Sequence, residues 1–312
     1  MSSIYTVTLN PAIDKSTSVN TLAPERKMKC TRPLFEPGGG GVNVARAIKK
    51  LGGEATALYL AGGYTGKFFT QLLSGEHVAS EVVEISQHTR ENLIVLDNSS
   101  NLQYRFGMPG PVIQEKEWKD LLHQVEQITH VEFIVASGSV PEGVPLDIFA
   151  RIAAIAKKKN AKFIVDTSGE ALKQAVEEGI FLMKPNLGEL GSLIGKEEIS
   201  QDMIEKAAKE LITKNHCKAI VVSMGSAGAM LVTNDEATVI TPPDVKREST
   251  VGAGDSMVAG IVLSLSKQKS LLEAVHYGVA CGTSATMNWG TQLCNLKDVE
   301  KIYAAMQKQI KN

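Results

Sequence analysis

The segment Thr250–Asp255 has residue types and spacing that could bind an anion and supply a base. Small residues precede a helical pattern, so the backbone can approach a ligand closely and present free N–H groups at a helix start. The N–H groups of Gly252, Ala253 and Gly254 could stabilise charge on a moving phosphoryl group. Asp255 could then take the proton from an attacking hydroxyl. The simpler alternative is that Asp255 only caps the helix.

A run of four glycines, Gly38–Gly41, opens a second predicted helix. A turn needs one or two glycines, and each further one costs unfolded-state entropy, so the run indicates a backbone that must fit closely against something. Asn43, in the first helical turn, can both donate and accept hydrogen bonds, which suits sugar hydroxyls. The run does not follow the first predicted strand, as in a dinucleotide fingerprint, and lacks the Gly-Lys-Ser/Thr ending of a P-loop.

Two more polar segments follow predicted strands. In Lys184–Glu189, Asn186 and Glu189 could form a capping box at the next helix, or lie near a magnesium–phosphate assembly through water. The segment Ser223–Gly228 is either a simple turn or a place where a nucleotide approaches the backbone.

Charged residues cluster towards the amino-terminal half. Asp14 follows the first predicted strand and could accept hydrogen bonds from sugar hydroxyls. Lys27, Lys29, Arg90 and Arg105 lie in two segments outside the helix–strand alternation. Such cations are usually solvated, but together they would suit a sugar phosphate.

The elements that must position these groups alternate between strand and helix, which predicts a mostly parallel sheet covered on both faces. Ligands bind beyond the carboxyl ends of such strands. Strands are predicted at Ile4–Leu9, Ala55–Leu60, Phe133–Ser137, Phe163–Asp166, Phe181–Met183 and Ala219–Ser223. Helices are predicted at Val42–Leu51, Glu115–Ile128, Leu146–Lys158, Gly169–Glu177, Met203–Lys214, Asp255–Leu265, Leu271–Met287 and Lys297–Gln309.

Two segments, Lys15–Phe35 and His88–Phe106, interrupt this alternation. Both have short amphipathic strand patterns with turns. In the second, Leu93–Leu96 and Gln103–Phe106 flank the turn Asn98–Asn101 and read as a hairpin. We expect the two segments to form a small sheet beside the main one, placed as a lid.

The composition limits the function classes. The chain has 312 residues, 43% of them hydrophobic, and a net charge of −1, which gives no reason to expect general nucleic-acid or membrane binding. Its start is polar and strand-like, without a signal peptide, and no apolar run approaches a membrane span. The four scattered cysteines lack metal-ligand spacing and are expected to be reduced and mostly buried, in a cytoplasmic protein.

These segments, in this order, resemble the ribokinase-like (PfkB-type) carbohydrate kinases. The first family pattern is matched by Gly39–Ala45 followed by Gly52 and Gly62, and the second by Thr250–Asp255; between them lies the Asn-x-x-Glu element, Asn186 to Glu189. The resemblance extends over nearly the whole chain. It implies a three-layer α/β/α fold with a mostly parallel central sheet plus a small β-sheet lid. We expect residues 1–312 to form one such domain, with lid segments at about 15–35 and 88–107.

The resemblance also implies a role for individual residues. The sugar is assigned to Asp14, Gly39 and Asn43, and its phosphate to Lys27, Arg90 and Ser139. ATP is assigned to Lys184, Asn186, Ser223, Gly225 and Gly228, with Mg²⁺ near Glu189 through water and Asp255 as the base, supported by the N–H groups of Gly252, Ala253 and Gly254. A monovalent cation, usually K⁺, is implied near Ser249, Val251, Ala285, Asn288 and Gly290. A homodimer formed through the lid sheet is implied as well.

The resemblance is closest to family members that phosphorylate fructose 6-phosphate. It is carried by Phe35–Gly41, Tyr104–Gly110, Gly138–Gly143 and Ser249–Met257. Tagatose 6-phosphate and fructose 1-phosphate remain alternative acceptors. A non-catalytic sugar-phosphate sensor is disfavoured because Asp255 and the glycines before it are present. Lys29 stands where these relatives tend to have arginine, and the loop 22–26 diverges, which bears on phosphate recognition and subunit contact.

Overall fold

The computed structural model describes residues 4–196, 199–215 and 217–310. The strands are β1 (Ile4–Thr8), β2 (Ala12–Val19), β3 (Leu34–Gly38), β4 (Thr56–Gly62), β5 (Ala79–Ile85), β6 (Arg90–Asp97), β7 (Leu102–Phe106), β8 (Phe133–Ser137), β9 (Lys162–Asp166), β10 (Leu182–Met183), β11 (Ala219–Ser223), β12 (Ala229–Val232) and β13 (Ala237–Ile240). The helices are α1 (Gly40–Lys50), α2 (Gly63–Gly75), α3 (Glu115–Gln127), α4 (Ile148–Lys158), α5 (Gly169–Glu178), α6 (Leu187–Leu193), α7 (Gln201–Asn215), α8 (Ala253–Ser266), α9 (Leu271–Thr286) and α10 (Leu296–Ile310).

The main sheet has nine strands in the order β13-β12-β11-β10-β9-β8-β1-β4-β5. Every pairing from β11 to β5 is parallel, and β12 and β13 join the edge in antiparallel fashion. This confirms the predicted mostly parallel sheet. The carboxyl ends of β1, β8, β9, β10 and β11 therefore lie along one edge, where ligands bind in such sheets.

Helices cover both faces of this sheet because alternate strand residues are apolar on both sides. Along β4, Ala57 and Tyr59 belong to one hydrophobic cluster, while Leu58 and Leu60 belong to the other. Helices α1, α2, α8, α9 and α10 contribute to the first cluster, and α3, α4, α5, α6 and α7 to the second. The three-layer prediction is confirmed.

Four strands, in the order β3-β2-β6-β7, form a second sheet that is separate from the main one. The predicted hairpin is confirmed, since β6 and β7 pair in antiparallel fashion with Val95 opposite Tyr104. The first segment differs from the prediction at both ends of its range. Strand β2 begins before Lys15, at Ala12, and residues 20–33 contain no strand. We call β2, β3, β6 and β7 the small sheet.

Some elements carry a sequence signal too weak for prediction. Helix α2 begins at Gly63, whose φ is 66°, and contains a second glycine in its first turn. Strand β5 is an edge strand of the main sheet in which only Val83 and Ile85 are buried, so its apolar pattern is short. In the described part of the chain, no helix has the length and apolar character needed to cross a membrane. Cys217, Cys281 and Cys294 are buried, while Cys30 is exposed.

Candidate active site

Helix α8 begins with a glycine rather than with a side-chain cap. Gly252 is the N-cap residue, with φ 72° in the left-handed region, and an added Cβ there would lie 2.7 Å from Leu293. Asp255 is the third helical residue, and its Oδ2 accepts a hydrogen bond from Asn43 Nδ2 at 2.9 Å. The cap alternative for Asp255 is therefore wrong, because its carboxylate points to another helix. The first-turn N–H groups of α8 lack a side-chain cap.

The glycine run places the start of helix α1 against the ends of β1 and β8. The helix begins at Gly40, two residues earlier than predicted. An added Cβ on Gly40 would overlap the Ser137 hydroxyl and lie 2.7 Å from the Gly138 nitrogen. Gly39 has φ 116°, a backbone conformation that strongly favours glycine. The close fit that the run predicts is thus with the protein's own strand ends, and it brings Asn43 to Asp255.

The carboxylate of Asp255 is enclosed by four polar side chains. Burial and the nearby Asp166 raise its pKa to about 6, while hydrogen bonds from Asn43 and Ser137 and the charge of Lys184 oppose that increase. At neutral pH the group is therefore mostly ionised but still basic, which suits a general base.

A buried ion pair joins the ends of two strands beside this carboxylate. Lys184 Nζ, immediately after β10, lies 3.2 Å from Asp166 Oδ1 at the end of β9. Burial acts to lower the pKa of Lys184, but the combined attraction of Asp166, Asp255 and Glu189 raises it. A Cβ on Gly254 would lie 3.2 Å from Lys184 Nζ, so the ammonium group sits against the first turn of α8.

The sequence analysis did not identify Asp166 as a site residue, although its position at the end of a predicted strand indicated it. It ends the predicted strand Phe163–Asp166, at the edge where polar residues after strands are expected to meet. The sequence also missed Ser137, which ends β8 in the same way.

A cleft of about 450 Å³ opens beside the start of α8. Four of the five residues assigned to ATP line it: Asn186, Ser223, Gly225 and Gly228. Lys184 is not among its lining residues. The remaining walls include Thr250, Ala253 and Gly254 of the α8 turn, and the segment 242–247, which the sequence analysis did not single out. The volume suits a small organic ligand, and the first turn of α8 forms part of the wall.

Asn186 and Glu189 form the capping box that the sequence offered as one alternative. Asn186 Oδ1 accepts from the Glu189 nitrogen, and Glu189 Oε2 accepts from the Asn186 nitrogen, both at 2.9 Å. Burial raises the pKa of Glu189. Within the described residues, its second carboxylate oxygen has no hydrogen-bond partner, which leaves an oxygen that fits a water-mediated Mg²⁺ contact.

Asp14 lies on the small sheet beside the glycine run. Its Oδ1 accepts from Asn92 Nδ2 at 2.8 Å, and a Cβ on Gly38 would overlap its other carboxylate oxygen. Burial raises the pKa of Asp14, partly offset by the hydrogen bond from Asn92 and by the charges of Arg46 and Arg90. The structure therefore places Asp14 against the end of β3, where the glycine run begins.

Arg90 and Ser139 are joined by Asn10, a residue that the sequence analysis did not identify. Arg90 Nη2 donates to the Asn10 carbonyl at 3.0 Å, and Asn10 Nδ2 lies 3.0 Å from Ser139 Oγ. Asn10 Oδ1 and Arg90 Nε are buried without a hydrogen-bond partner among the described residues, as expected of a place that receives a polar ligand. Asn10 follows strand β1 almost directly, which was the available signal.

Comparison with known proteins finds relatives over nearly the whole chain. The family model described as "pfkB family carbohydrate kinase" matches residues 5–298. The chain is 46% identical over 306 residues to the ATP-dependent 6-phosphofructokinase isozyme 2 of Escherichia coli, covering 98% of this chain and 99% of that protein. It is 34% identical to the 1-phosphofructokinase of Bacillus subtilis, covering 91% of this chain and 93% of that protein.

This chain belongs to the pfkB family of carbohydrate kinases.

Solved structures support the same membership. A crystal structure of the E. coli phosphofructokinase-2 in complex with potassium has a TM-score of 0.94 and covers 98% of this chain and 100% of that one. Other structures of that protein are described as a complex with fructose 6-phosphate and as a tetrameric inhibited form. An Arabidopsis thaliana ribokinase, at 20% identity and a TM-score of 0.77, covers 97% of this chain and 99% of that one and shows the shared fold. The ribokinase-like prediction is confirmed.

The residues that the sequence analysis assigned to a monovalent cation lie on two segments, which are joined by a hydrogen bond. Ser249 Oγ donates to the Gly290 carbonyl at 2.9 Å, and the Val251 nitrogen donates back to Ser249 Oγ at 3.2 Å. Ala285 is at the end of α9, and its carbonyl accepts from the Asn288 nitrogen at 3.2 Å. The carbonyls of Ala285 and Gly290 on one segment, with the Ser249 hydroxyl on the other, are oxygen donors of the kind that fits a monovalent cation.

Lys27 is the assigned residue that stays apart from the others. It lies exposed in the irregular segment 20–33, together with Lys29. The contacts of the described residues do not connect Lys27 to Arg90 or Ser139. Arg105 is likewise exposed, and its Nε donates to Gln103 at 3.0 Å.

Proposed function

We propose that this chain transfers the γ-phosphoryl group of ATP to fructose 6-phosphate, giving fructose 1,6-bisphosphate, with Asp255 as the general base. One observation carries the proposal: the half-buried Asp255 carboxylate lies at the open start of α8, and the turn that holds it also lines the adjacent cleft. An acceptor hydroxyl near Asp255 and a phosphoryl donor in the cleft would then meet at this turn. The similarity to the 6-phosphofructokinases selects the sugar.

In the proposed step, the free hydroxyl oxygen of the sugar's 1-hydroxymethyl group forms a bond to the γ-phosphorus. The bond from that phosphorus to the β–γ bridging oxygen breaks, and ADP leaves. Asp255 takes the hydroxyl proton. The N–H groups of Gly252, Ala253 and Gly254, with the positive end of the α8 dipole, stabilise the phosphoryl oxygens.

The substrates are assigned to two sides of this turn. ATP occupies the cleft lined by Asn186, Ser223, Gly225 and Gly228, with Lys184 directed at the phosphates from beneath Gly254. The sugar lies towards Asp14, Gly39 and Asn43. Its phosphate lies near Arg90 and Ser139, and Lys27 reaches it when the segment 20–33 folds over the site, so the small sheet acts as a lid that excludes water.

Two cations complete the proposal. Magnesium bound with ATP would neutralise charge on the transferring phosphates, and Glu189 would hold it through water. Within the described residues there is no cluster of three or more His, Cys, Asp or Glu side chains arranged for a metal, which is compatible with an ion that arrives on the nucleotide. Potassium would bind between Ser249, Val251, Ala285, Asn288 and Gly290 and steady the loop that leads into α8.

The small sheet has an exposed apolar face that could form a subunit interface. Strand β7 exposes Leu102, Tyr104 and Phe106 at alternate positions, on one face of the small sheet. Asp14 and Asn92 lie on the opposite face, because Val95, and not Asn92, faces the same side as Tyr104. An apolar stripe away from the site suits a second copy of the chain, so we propose a homodimer through this sheet. We also propose a cytoplasmic location, which the four free cysteines support.

The test is MgATP-dependent ADP formation, with potassium present, against fructose 6-phosphate, fructose 1-phosphate, tagatose 6-phosphate and ribose. A clear preference for fructose 6-phosphate supports the proposal. Preference for fructose 1-phosphate would favour the second candidate, 1-phosphofructokinase activity, which the similarity to the B. subtilis enzyme motivates. If folded protein that binds ATP turns over none of the four sugars, the proposed kinase activity is overturned.

A further inference from the structure

Arg46 is a charged side chain at the centre of the fold. It lies on α1, and its side chain is only 1% exposed. Burying an arginine is costly unless its donors are satisfied, so the partners it has acquired indicate what it holds in place. Its position three residues after Asn43 puts both on one face of the helix.

The guanidinium group is bonded on every side. Nε and Nη2 make a bidentate ion pair with Glu76, at 2.8 and 2.6 Å. Nη1 donates to the Pro37 carbonyl at 2.7 Å and to Asn43 Oδ1 at 3.2 Å. Nη2 also lies 3.3 Å from Glu36 Oε1. The arginine therefore links the end of α2, strand β3 and the first turn of α1.

The bond to Asn43 determines the orientation of its amide. A guanidinium group can only donate, so the oxygen of the Asn43 amide must face Arg46. The amide nitrogen then faces the other way, and it donates to Asp255 at 2.9 Å. With the amide reversed, its oxygen would face the carboxylate and its NH₂ group would face the guanidinium, so two favourable contacts would become repulsive.

We propose that Arg46 is a positioning residue for phosphoryl transfer, which holds the Asn43 amide in the orientation that donates to Asp255. The inference rests on the proposed role of Asp255. Arg46 does not touch the reacting atoms and acts through Asn43.

The same network reaches the segment beside the proposed potassium site. Glu36 accepts from Arg46 through one carboxylate oxygen, and its other oxygen accepts a hydrogen bond from the hydroxyl of Thr291. Thr291 directly follows Gly290, whose carbonyl is bonded to Ser249. Asp255, strand β3 of the small sheet and the segment around Gly290 thus share one chain of hydrogen bonds centred on Arg46.

The experiment compares Arg46→Lys with Ile48→Ala. Lysine keeps the charge but loses the planar fork, so it cannot serve Glu76, Pro37 and Asn43 together. Ile48 is a fully buried apolar residue on the same helix, and its truncation destabilises the core without touching the network. The control therefore separates loss of stability from loss of positioning.

The first readout needs no substrate. The NMR signals of the Asn43 side-chain amide, assigned by their absence in Asn43→Ala, report whether its protons are bonded to Asp255 and protected from exchange with water. We expect Arg46→Lys to accelerate this exchange by about tenfold or more, the loss of roughly one charge-assisted hydrogen bond. We expect Ile48→Ala to lower Tm and leave the Asn43 signals in place.

The second readout is steady-state kinetics. Arg46→Lys should lower kcat by about tenfold or more and change the KM for ATP by less than about twofold, since the nucleotide cleft is untouched. If Arg46→Lys lowers Tm but leaves Asn43 exchange and kcat as in Ile48→Ala, Arg46 is merely structural and the proposal is overturned.

Two outcomes keep the tests independent. If the unaltered chain turns over none of the sugars, the proposed function fails, while the exchange of the Asn43 amide still decides the role of Arg46. If Arg46→Lys does not fold, Glu36→Gln removes one of the two carboxylates around Arg46 and keeps its shape. It should accelerate Asn43 exchange by about two- to threefold, and unchanged exchange would contradict the proposal.

Discussion

Asp255, Asn43, Lys184 and Asp166 meet at the start of α8, and we call this group the junction. The junction and the segment 20–33 both contain residues assigned to the substrates, but they differ in how firmly those residues are held. Lys184 is 6% exposed and paired with Asp166, and Asp255 is bonded to Asn43. Lys27 and Lys29 are exposed and belong to a segment without regular structure. The groups proposed to handle the phosphoryl group are therefore held in place by contacts within the protein, whereas Lys27, which is proposed to bind the sugar phosphate, must be ordered by a ligand.

The difference has an energetic consequence. Fixed dipoles and charges stabilise a developing charge without reorganisation at the moment of reaction. A free lysine side chain loses rotamer entropy when it engages a phosphate, which offsets part of the attraction. Substitutions at the junction should therefore change kcat strongly, and substitutions in the segment 20–33 should change KM.

The largest effect is expected for Asp255→Asn. An amide of the same shape cannot accept the hydroxyl proton, so kcat should fall by about 10³-fold or more, measured as ADP formation with fructose 6-phosphate. The Tm should not fall, because the variant removes a charge that the folded protein disfavours, as the raised pKa of Asp255 indicates. Near-normal turnover would show that another group is the base.

Lys184→Met should have the next largest effect. It removes the partner of the half-buried Asp166 and a positive charge beside Asp255, so kcat should fall by roughly 10²-fold and stability by about 3 kcal/mol. Turnover and denaturant unfolding measure the two effects. Lys116→Met, which breaks an exposed pair with Asp120, is the matched control and should change both only slightly. A Lys184 variant indistinguishable from that control would contradict the view of a preorganised junction.

The pH dependence of kcat should follow the ionisation of Asp255. The base must be deprotonated, and its pKa is raised to about 6, so kcat should be level above about pH 7 and fall by roughly tenfold at pH 5. The stability of the fold should change with pH in the opposite direction to kcat. Since the folded-state pKa lies above the unfolded value, this group contributes stability at acid pH that is lost as the pH rises through about 6. An acid limb that stays level down to pH 4.5 would contradict this environment for Asp255.

A smaller and more selective effect is expected for Lys27→Ala. The KM for the sugar phosphate should rise by about tenfold, because the proposed contact with the phosphate is lost. The kcat, the Tm and the KM for ATP should be nearly unchanged, because the side chain is exposed and makes no hydrogen bond in the described structure. Arg90→Ala sharpens the comparison, since Arg90 also bonds the Asn10 and Met108 carbonyls and should lower Tm as well. Equal effects of Lys27→Ala on both KM values would count against the assignment.

The smallest effect on turnover, and the clearest on assembly, is expected for Tyr104→Lys. A charge in the apolar stripe of the small sheet should convert the proposed homodimer to monomer, measured by light scattering. Leu296→Lys is the matched control, since Leu296 on α10 is 40% exposed and Tyr104 38%. A dimer that persists in Tyr104→Lys would place the interface elsewhere.

Much of the fold followed from local patterns. Strands β8 and β9 each contain a short run of apolar and β-branched residues, and the hairpin β6–β7 has polar turn residues between two strand patterns, so each is recognisable alone. Strand β5 and helix α2 were missed because their apolar signal is short or interrupted by glycine. Whether Asp255 is a cap could not be decided locally, because both alternatives place an aspartate in the first turn of a helix.

By itself, the sequence determined the alternation of strand and helix, the two glycine-rich helix starts and the residue types available for chemistry, since each depends on a few neighbouring residues. Only the tertiary structure decided which of those residues meet. It brought Asn43 to Asp255 across 212 positions, buried Lys184 with Asp166, and put Arg46 between Glu76, Glu36 and Asn43. Such contacts depend on the order in which strands lie side by side and on which helix ends face each other across the sheet edge. No local pattern in the chain encodes that order.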